Sequence, residues 1–314
     1  MALSRLGQVI IAAAASALLL LPFLAGPAAA AGQTGQVTVF WGRNINEGSL
    51  REACDTAMYT MVIISFLNVS VHGHSGDYSL DLSGHPLAGV GADIKHCQRK
   101  GVLVSLSLSL SIAGGALPGD QSAIDLADHL SNTYLAAARD DATTAARPFG
   151  DAVLDGVDFF FHDAATPADA ERYGVLATEL SRSRNAGDQS SPPPRLTATA
   201  PCAFPAGAAA LATSAFERVH VRFYGGENSN CTVYWEDAWA RWTAAYPRSR
   251  VYFGLPAAPA PEKDGGGGGY IYPKTLYYSY VPELQKAANY GGFMIWDHYS
   301  DKKSGYSAYV KNWA

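Results

Sequence analysis

Short apolar runs recur along the chain, and they set the first expectation for its fold. Eight of them are rich in β-branched and aromatic residues, as β-strands are. Most are continuously apolar rather than alternating, which is typical of parallel strands buried on both faces. They are Val37–Trp41, Met61–Leu67, Val102–Ser109, Val153–Phe161, Leu196–Ala200, Val219–Tyr224, Val251–Leu255 and Gly292–Trp296.

Helix-compatible segments lie between many of these runs. The clearer ones are Asp93–Lys100, Ser122–Arg139, Pro167–Ser183, Tyr234–Tyr246 and Pro282–Tyr290. Strands that alternate with helices build βαβ units, and eight such units close into a barrel. No internal repeat or linker divides the chain. The pattern therefore predicts an α/β protein with one (β/α)₈ TIM-barrel domain over residues 31–314, and the Gly265–Gly269 run is interpreted as a tolerated loop insertion.

The N-terminus differs in character from the rest of the chain. Arg5 precedes an apolar run from Val9 to Leu24, and small alanines follow up to Ala30. This order of charge, apolar stretch and small residues is typical of a secretory signal peptide. The alternative is a membrane anchor, but the run is short, Pro22 interrupts it and no basic cluster follows. We therefore predict that residues 1–30 are a signal peptide and that the mature protein is extracellular, with no membrane partner.

Charge and composition narrow the possible partners. The formal net charge is −5, and loss of Arg5 with the signal peptide makes it −6. Nucleic-acid binding requires basic patches, so mild acidity argues against it. The spacing of cysteine and histidine that holds zinc does not occur in the sequence. We predict a monomer with no metal and no cofactor.

Cysteines and glycosylation sequons fit a secreted protein. The chain has four cysteines, and an even number in an oxidising compartment suggests two disulfides. Three pairings are possible, and proximity along the chain favours Cys54 with Cys97 and Cys202 with Cys231. Asn68-Val-Ser and Asn230-Cys-Thr are formal N-glycosylation sequons. Asn68 ends a strand-like run, and Asn230 lies in a polar loop.

Candidate chemistry lies at the ends of three apolar runs, because barrel active sites collect at the C-terminal ends of the strands. The fourth run reads Asp155-Gly-Val-Asp158-Phe-Phe160-Phe-His162. Side chains alternate along a strand, so Asp158, Phe160 and His162 share one face. The sixth run ends at Tyr224.

The eighth run adds Trp296 and Asp297 to the same end of the predicted barrel. With these residues in order, the chain resembles glycoside hydrolase family 18, whose chitinases carry a D-G-x-D-x-D-x-E strand. The segments VTVFWGRN, VRFYGG and YGGFMIWDHYSDK look like class III chitinases of plants. The sequence is more similar still to the plant xylanase inhibitor proteins, which share that barrel. The resemblance runs from about Gln36 to Ala314.

The resemblance implies a loss of catalysis. In family 18 the last motif residue is the glutamic acid that protonates the glycosidic oxygen, and the aspartate two residues earlier orients the substrate's acetamido nucleophile. These positions fall on His162 and Phe160. Imidazolium is a competent acid, but Phe160 cannot accept the acetamide N–H. Loss of one positioned group costs roughly 10²–10³ in rate and loss of the acid another ~10²–10⁴. Asp158 is interpreted as a structural acid, with a role left over from catalysis as the alternative.

Two aromatic residues keep a sugar-binding alternative open. By the resemblance, Tyr224 matches the tyrosine that binds the acetamido carbonyl, and Trp296 matches the tryptophan beneath the central sugar. Either they bind chitooligosaccharides, with Asp297 beside them, or they fill the barrel mouth. Arg222 lies on the same face as Tyr224 and would crowd a sugar cleft.

The resemblance also implies two surfaces that bind microbial xylanases. In the inhibitors, one loop enters family 11 xylanases and carries an arginine immediately before its first glycine. Here Ala186 precedes Gly187, and Arg184 is close but not aligned. The seventh helix of the inhibitors blocks family 10 xylanases through a lysine, which Lys274 matches, with Thr275 beside it. We expect xylanase inhibition, of family 10 rather than family 11. The alternatives are a glycan-binding lectin and a residual chitinase.

Overall fold

A computed structural model describes most of the chain after the predicted signal peptide. The described residues are 32–72, 75–110, 117–136, 147–162, 167–182, 193–204, 216–225, 231, 233–259 and 268–314. The predicted signal peptide, Arg184 and the sequon at Asn230 lie outside them. Asn68 is described, and it is half-buried between two neighbouring strands.

Eight parallel strands close into a barrel, which confirms the predicted fold class. The order around the barrel is β1-β9-β8-β7-β6-β5-β4-β2, and β1 pairs with β2 to close the ring. A further strand, β3, pairs antiparallel with β2 outside the ring. The strands are β1 Val37–Trp41, β2 Met61–His72, β3 Ser75–Leu80, β4 Leu103–Leu110, β5 Gly156–Phe161, β6 Arg195–Pro201, β7 Arg218–Arg222, β8 Arg250–Pro256 and β9 Tyr290–Trp296.

Helices surround the barrel along the described part of the chain. They are α1 Leu50–Asp55, α2 Val90–Arg99, α3 Asp120–Leu130, α4 Pro167–Arg182, α5 Trp235–Ala245, α6 Pro273–Thr275, α7 Val281–Leu284, α8 His298–Ser304 and α9 Tyr306–Val310. A π-helical turn, Leu276–Tyr280, joins α6 to α7. Among the described helices, none combines the length and the apolar character needed to cross a bilayer.

The sequence prediction is wrong in part at three places along the chain. Residues 285–290 do not continue the predicted helix, because Tyr290 already pairs with Val251 as the first residue of β9. The hairpin formed by β2 and β3 was not predicted, because its polar second strand lacks an apolar run. The sixth predicted strand is also shorter than expected. It ends at Arg222, so Tyr224 lies two residues beyond it.

Strand β5 shows how the barrel sorts its side chains. Val157, Phe159 and Phe161 point outward into the core between strands and helices. Asp158 and Phe160 are buried on the other face, and Phe160 belongs to a separate cluster inside the barrel. The members of this lumen cluster are Phe40, Met61, Ile63, Phe66, Phe160, Tyr224, Tyr252 and Met294. The predicted alternation along the catalytic-type strand is therefore correct.

Both disulfides form with the pairing that proximity favours. Cys54–Cys97 links α1 to α2, and Cys202–Cys231 ties the end of β6 to a later loop. Next to the first disulfide, the carboxylate of Asp55 accepts hydrogen bonds from Lys100 at 2.7 Å and from His96 at 2.8 Å. These two hydrogen bonds lower the pKa of Asp55 from 3.8 to about 2. The α1–α2 contact is therefore both covalent and ionic.

The Asp55 contacts predict a pH-dependent contribution to stability. A carboxyl group whose pKa is lowered on folding stabilises the fold above its unfolded pKa, and this contribution is lost as pH falls through about 2. We expect Asp55→Asn to lower the urea midpoint at pH 6, with the difference from wild type vanishing near pH 2. Asp128→Asn, an exposed acid on α3, is the control and should show no such convergence. An Asp55→Asn deficit that persists unchanged at pH 2 would contradict the ionic account.

Candidate functional site

A cavity of about 460 Å³ opens at the C-terminal ends of the strands. The structure brings Phe160, His162, Tyr224 and Trp296 together in its lining, as the sequence predicts. They come from three strand ends: Phe160 and His162 from β5, Tyr224 from just beyond β7, and Trp296 from β9. Sites of other barrels of this type also lie at the strand ends. Asp158 lies deeper in the barrel and is fully buried.

Phe160 is packed on all sides by other rings at the bottom of this cavity. It is only 3% exposed. Its ring centroid lies 5.0 Å from Phe66 and 5.7 Å from Phe40, both edge-on. Trp296 lies 5.7 Å from it in a tilted arrangement. Edge-to-face contacts at these distances are favourable beyond simple burial, so Phe160 is a fixed part of the floor.

Arg222 lies above this aromatic floor. Its guanidinium carbon is 4.5 Å from the centroid of Phe160, which is cation–π geometry. Its Nη2 donates hydrogen bonds to the carbonyls of Phe161 at 2.6 Å and His162 at 3.0 Å. Arg222 therefore ties the end of β7 to the end of β5 at the mouth of the cavity.

His162 lies at the rim of the cavity and is exposed. Its Nε2 is 2.8 Å from the hydroxyl of Ser109 on the neighbouring strand β4. Its ring also meets Phe160 at 5.0 Å. Within the described residues, the cavity lining contains no Asp or Glu. The imidazole of His162 would therefore have to carry out any proton transfer at this rim. No carboxylate from the described lining residues is present to orient a substrate.

Asp158 is held inside the barrel by hydroxyl groups. It accepts hydrogen bonds from Ser107 at 2.8 Å, Thr197 at 2.7 Å and Thr199 at 3.0 Å. The Nδ1 of His220 lies 3.7 Å away. Burial lowers the pKa of His220, and Asp158 opposes that shift. Through these hydrogen bonds the buried Asp158 joins β4, β5 and β6.

The Tyr224 hydroxyl and the Asp297 carboxylate both contact other groups of the protein. The Tyr224 hydroxyl lies 3.8 Å from the sulfur of Met294 inside the barrel, and burial raises the pKa of the phenol. Asp297 caps helix α8 by accepting a hydrogen bond from the Ser300 backbone N–H at 3.0 Å. Trp296 is half-buried and lines the cavity. Of the predicted sugar-binding residues, Trp296 offers the most accessible surface.

The sequence analysis missed two residues of this site, Phe66 and Arg43. The guanidinium of Arg43 lies 5.0 Å above the Phe66 ring and pairs with Asp81 at 3.3 Å. Phe66 could not be placed by alternation, because the pairing of β2 with β4 shifts register between Ser65 and Leu67. A bulge of this kind redirects side chains without a sequence signature.

Gly269, the last residue of the glycine run, is a third missed residue. Residues 260–267 lie outside the described part of the chain, so the interpretation of the run as a tolerated insertion stays a prediction. Its φ angle is +108°, which side chains rarely adopt. A Cβ atom at this position would lie 2.3 Å from the carbonyl oxygen of Phe223 and 2.7 Å from Cβ of Tyr224. The backbone at Gly269 therefore approaches Phe223 and Tyr224 so closely that only glycine fits there.

The predicted inhibitory surface lies outside the barrel mouth. Lys274 and Thr275 are both exposed in α6. Pro273 begins that helix, and its fixed φ angle suits the first turn. The Tyr306 hydroxyl donates to the carbonyl of Ile271 at 2.6 Å, which fixes the chain just before the helix. Lys274 is thus an exposed cation on an anchored segment.

Asp158 supplies the stability prediction for this site. Asp158→Ala leaves three buried hydroxyl donors without their acceptor, so we expect the free energy of unfolding to fall by about 3 kcal/mol. Asp158→Asn keeps one acceptor oxygen and should cost less than half as much. Urea unfolding of the oxidised protein measures both. If Asp158→Ala costs nothing, Asp158 is not the structural acid that its contacts indicate.

Comparisons with known proteins give relatives over nearly the whole chain. No family model matches the sequence. Xylanase inhibitor protein 1 of Triticum aestivum is 52% identical over 290 residues, which is 91% of this chain and 90% of the relative. An acidic endochitinase of Arabidopsis thaliana is 34% identical over 288 residues, which is 88% of this chain and 89% of the relative.

A solved structure agrees with these sequence relatives. The xylanase and alpha-amylase inhibitor protein of Scadoxus multiflorus superposes with a TM-score of 0.74 at 34% identity. The match covers 88% of this chain and 98% of that one. Fold and sequence identity therefore agree, and the chain belongs to the family of xylanase inhibitor proteins, chitinase-like barrels of glycoside hydrolase family 18.

Proposed function

We propose that this protein is a secreted, catalytically inactive chitinase-like barrel that inhibits microbial endo-xylanases as part of plant defence. The observation that carries the proposal is the packing of Phe160 beneath Arg222 at the barrel mouth. A relative with 52% identity is named a xylanase inhibitor protein, which supports xylanase inhibition as the function.

Inactivity follows from the chemistry of the two positions that the resemblance assigns to carboxylates. Phe160 offers no acceptor for an acetamide N–H and no charge to balance a developing oxazolinium ion. The cation of Arg222 above it would oppose that positive charge. His162 retains a proton-transfer group, but a general acid without electrostatic support of the intermediate supplies only part of the rate.

Lys274 is the residue through which we propose that the inhibitor acts. A retaining glycosidase carries two carboxylates in its cleft, and an ammonium group that enters the cleft would pair with them. Desolvated charge pairs of this kind can contribute strongly to affinity. The position of Lys274 on an exposed, anchored helix supports this role. We propose family 10 xylanases as the targets rather than family 11, since Ala186 stands where the inhibitors carry arginine.

Secretion is supported by two independent features. Residues 1–30 have the composition of a signal peptide. All four cysteines form disulfides, which persist in oxidising compartments. An extracellular location would place the protein where microbial xylanases act.

Glycan binding at the mouth is the second candidate function. The cavity of about 460 Å³ and the half-buried Trp296 favour it, because an indole ring can stack on a sugar. Two contacts argue against an acetamido sugar at the position that the resemblance implies. The Tyr224 hydroxyl points into the barrel, and Arg222 links the end of β7 to the end of β5.

Titration of one family 10 and one family 11 xylanase with the mature protein tests the proposal. We expect the family 10 enzyme to be inhibited and Lys274→Ala to raise the inhibition constant at least tenfold, a loss of about 1.4 kcal/mol or more. Lys95→Ala, a lysine on α2 well away in sequence, is the matched control and should inhibit like wild type. If neither xylanase responds at micromolar inhibitor, the proposed function fails for these targets.

A further inference from the structure

A groove on the outer surface of the protein is lined mainly by aromatic side chains. Its volume is about 590 Å³, larger than the cavity at the barrel mouth. Its wall is formed by the segment around α6 and by the C-terminal helices. The lining residues, called the tyrosine groove below, are Tyr270, Pro273, Lys274, Tyr277, Tyr278, Ser304, Tyr306, Tyr309 and Trp313.

Three of these tyrosines present their rings to solvent. Tyr278 is 69% exposed, Tyr309 54% and Tyr277 43%. Large aromatic residues in one concave patch are unusual on a surface that only needs to be soluble, and such patches mark binding sites. This exposed aromatic patch therefore indicates a ligand-binding site.

The π-helical turn Leu276–Tyr280 explains how adjacent tyrosines reach the groove. Leu276 is fully buried and anchors the turn in the core. Tyr277 and Tyr278 follow it directly and both face solvent. Single π-helical turns inside helices occur frequently at functional sites. Here the turn presents two consecutive rings, which differ in orientation by 79°.

The rings are held in place before any ligand arrives. Tyr277 packs against Trp313 with a centroid distance of 5.0 Å and against Tyr278 at 4.9 Å. Tyr306 is buried beneath the groove and supports Tyr270 at 5.6 Å. Because these contacts limit side-chain motion in the free protein, binding costs little further conformational entropy.

We propose that the tyrosine groove binds a neutral, linear oligosaccharide of β-1,4-linked pyranose units. Flat phenol and indole rings cover the C–H faces of the sugar, while hydroxyl groups at the ring edges and on Ser304 hydrogen-bond its hydroxyls. Among the described lining residues, Lys274 is the single charged group, and its ammonium group can donate hydrogen bonds to neutral hydroxyl oxygens. The volume lies within the range of small-ligand sites.

This inference goes beyond the proposed function but shares Lys274 with it. A sugar chain lying in the groove would cover the lysine that we propose enters a xylanase. The mouth of the barrel is a separate site, since the two linings share Tyr270 alone among the residues that the structure describes. Groove and mouth can therefore be distinguished by substitution.

Isothermal titration of the mature protein with xylohexaose tests the groove. We expect binding with a dissociation constant below about 1 mM, and Tyr278→Ala should weaken it at least tenfold. Tyr234→Ala removes a similarly exposed tyrosine, at 65%, outside the groove and should bind like wild type. Trp296→Ala, at the barrel mouth, should also retain binding. Equal urea midpoints for the variants confirm that each is folded.

Three outcomes overturn the inference and leave the proposed inhibition of xylanases by the wild-type protein standing, because that inhibition is measured separately. Absence of binding heat at millimolar xylohexaose removes the site. Binding that is lost in Trp296→Ala but kept in Tyr278→Ala moves the sugar to the mouth. If Tyr278→Ala weakens xylanase inhibition while wild type binds no xylohexaose, the groove is a protein contact instead.

Discussion

Closure of the parallel sheet by the pairing of β1 with β2 is the constraint on which the rest of the structure depends. The register Thr38 with Met61 through Trp41 with Ile64 completes the ring. In an eight-stranded barrel the interior is only wide enough for side chains, so each inward residue must fit its neighbours. Alternation then assigns every strand residue either to the lumen or to the helical layer. Because of this constraint, the side chains of Asp158 and Phe160 point into the lumen. The residues that alternate with them along β5 point outward into the helical layer.

The lumen separates into a polar layer and an aromatic layer, and this division decides what the mouth can do. Below lies Asp158 with its hydroxyl donors. Above it lie Phe160 and the rings around it, closed by Arg222. A catalytic mouth needs acceptors at that upper level, whereas this one has a hydrophobic floor and a cation. Well-packed rings rather than an unpaired charge fill the lumen around Phe160, which favours the stability of the barrel.

The outer surface is free of these constraints, and there the proposed activities lie. Lys274 and the tyrosines beside it are carried by a short helical segment that is anchored at Leu276 and Ile271. Loops and outer helices of barrels vary without loss of the fold. Such a scaffold can lose one function at the strand ends and gain another on a helix, which is the relation that we propose between this chain and its chitinase relatives.

The sequence predicts the barrel and much of its mouth, because both follow from periodic patterns. Eight apolar runs correspond to the eight barrel strands, and alternation along β5 places Phe160 correctly. The position of Phe66 in the site was not predicted, because a register shift in β2 interrupts the alternation of side chains along the strand. The role of Gly269 depends on a close approach to Tyr224, which residues distant in sequence create. The paired exposure of Tyr277 and Tyr278 arises from a π-helical turn, and apolar periodicity does not encode one.

Product release from chitotetraose is the most direct test of the central claim that the mouth does not catalyse. The mature protein is incubated at high concentration with the substrate, beside a class III chitinase as positive control and His162→Ala as a variant. The account predicts no release of reducing ends above the buffer blank for wild type or variant. Turnover by wild type that is lost in His162→Ala would show that the imidazole serves as the acid, and it would contradict the claim.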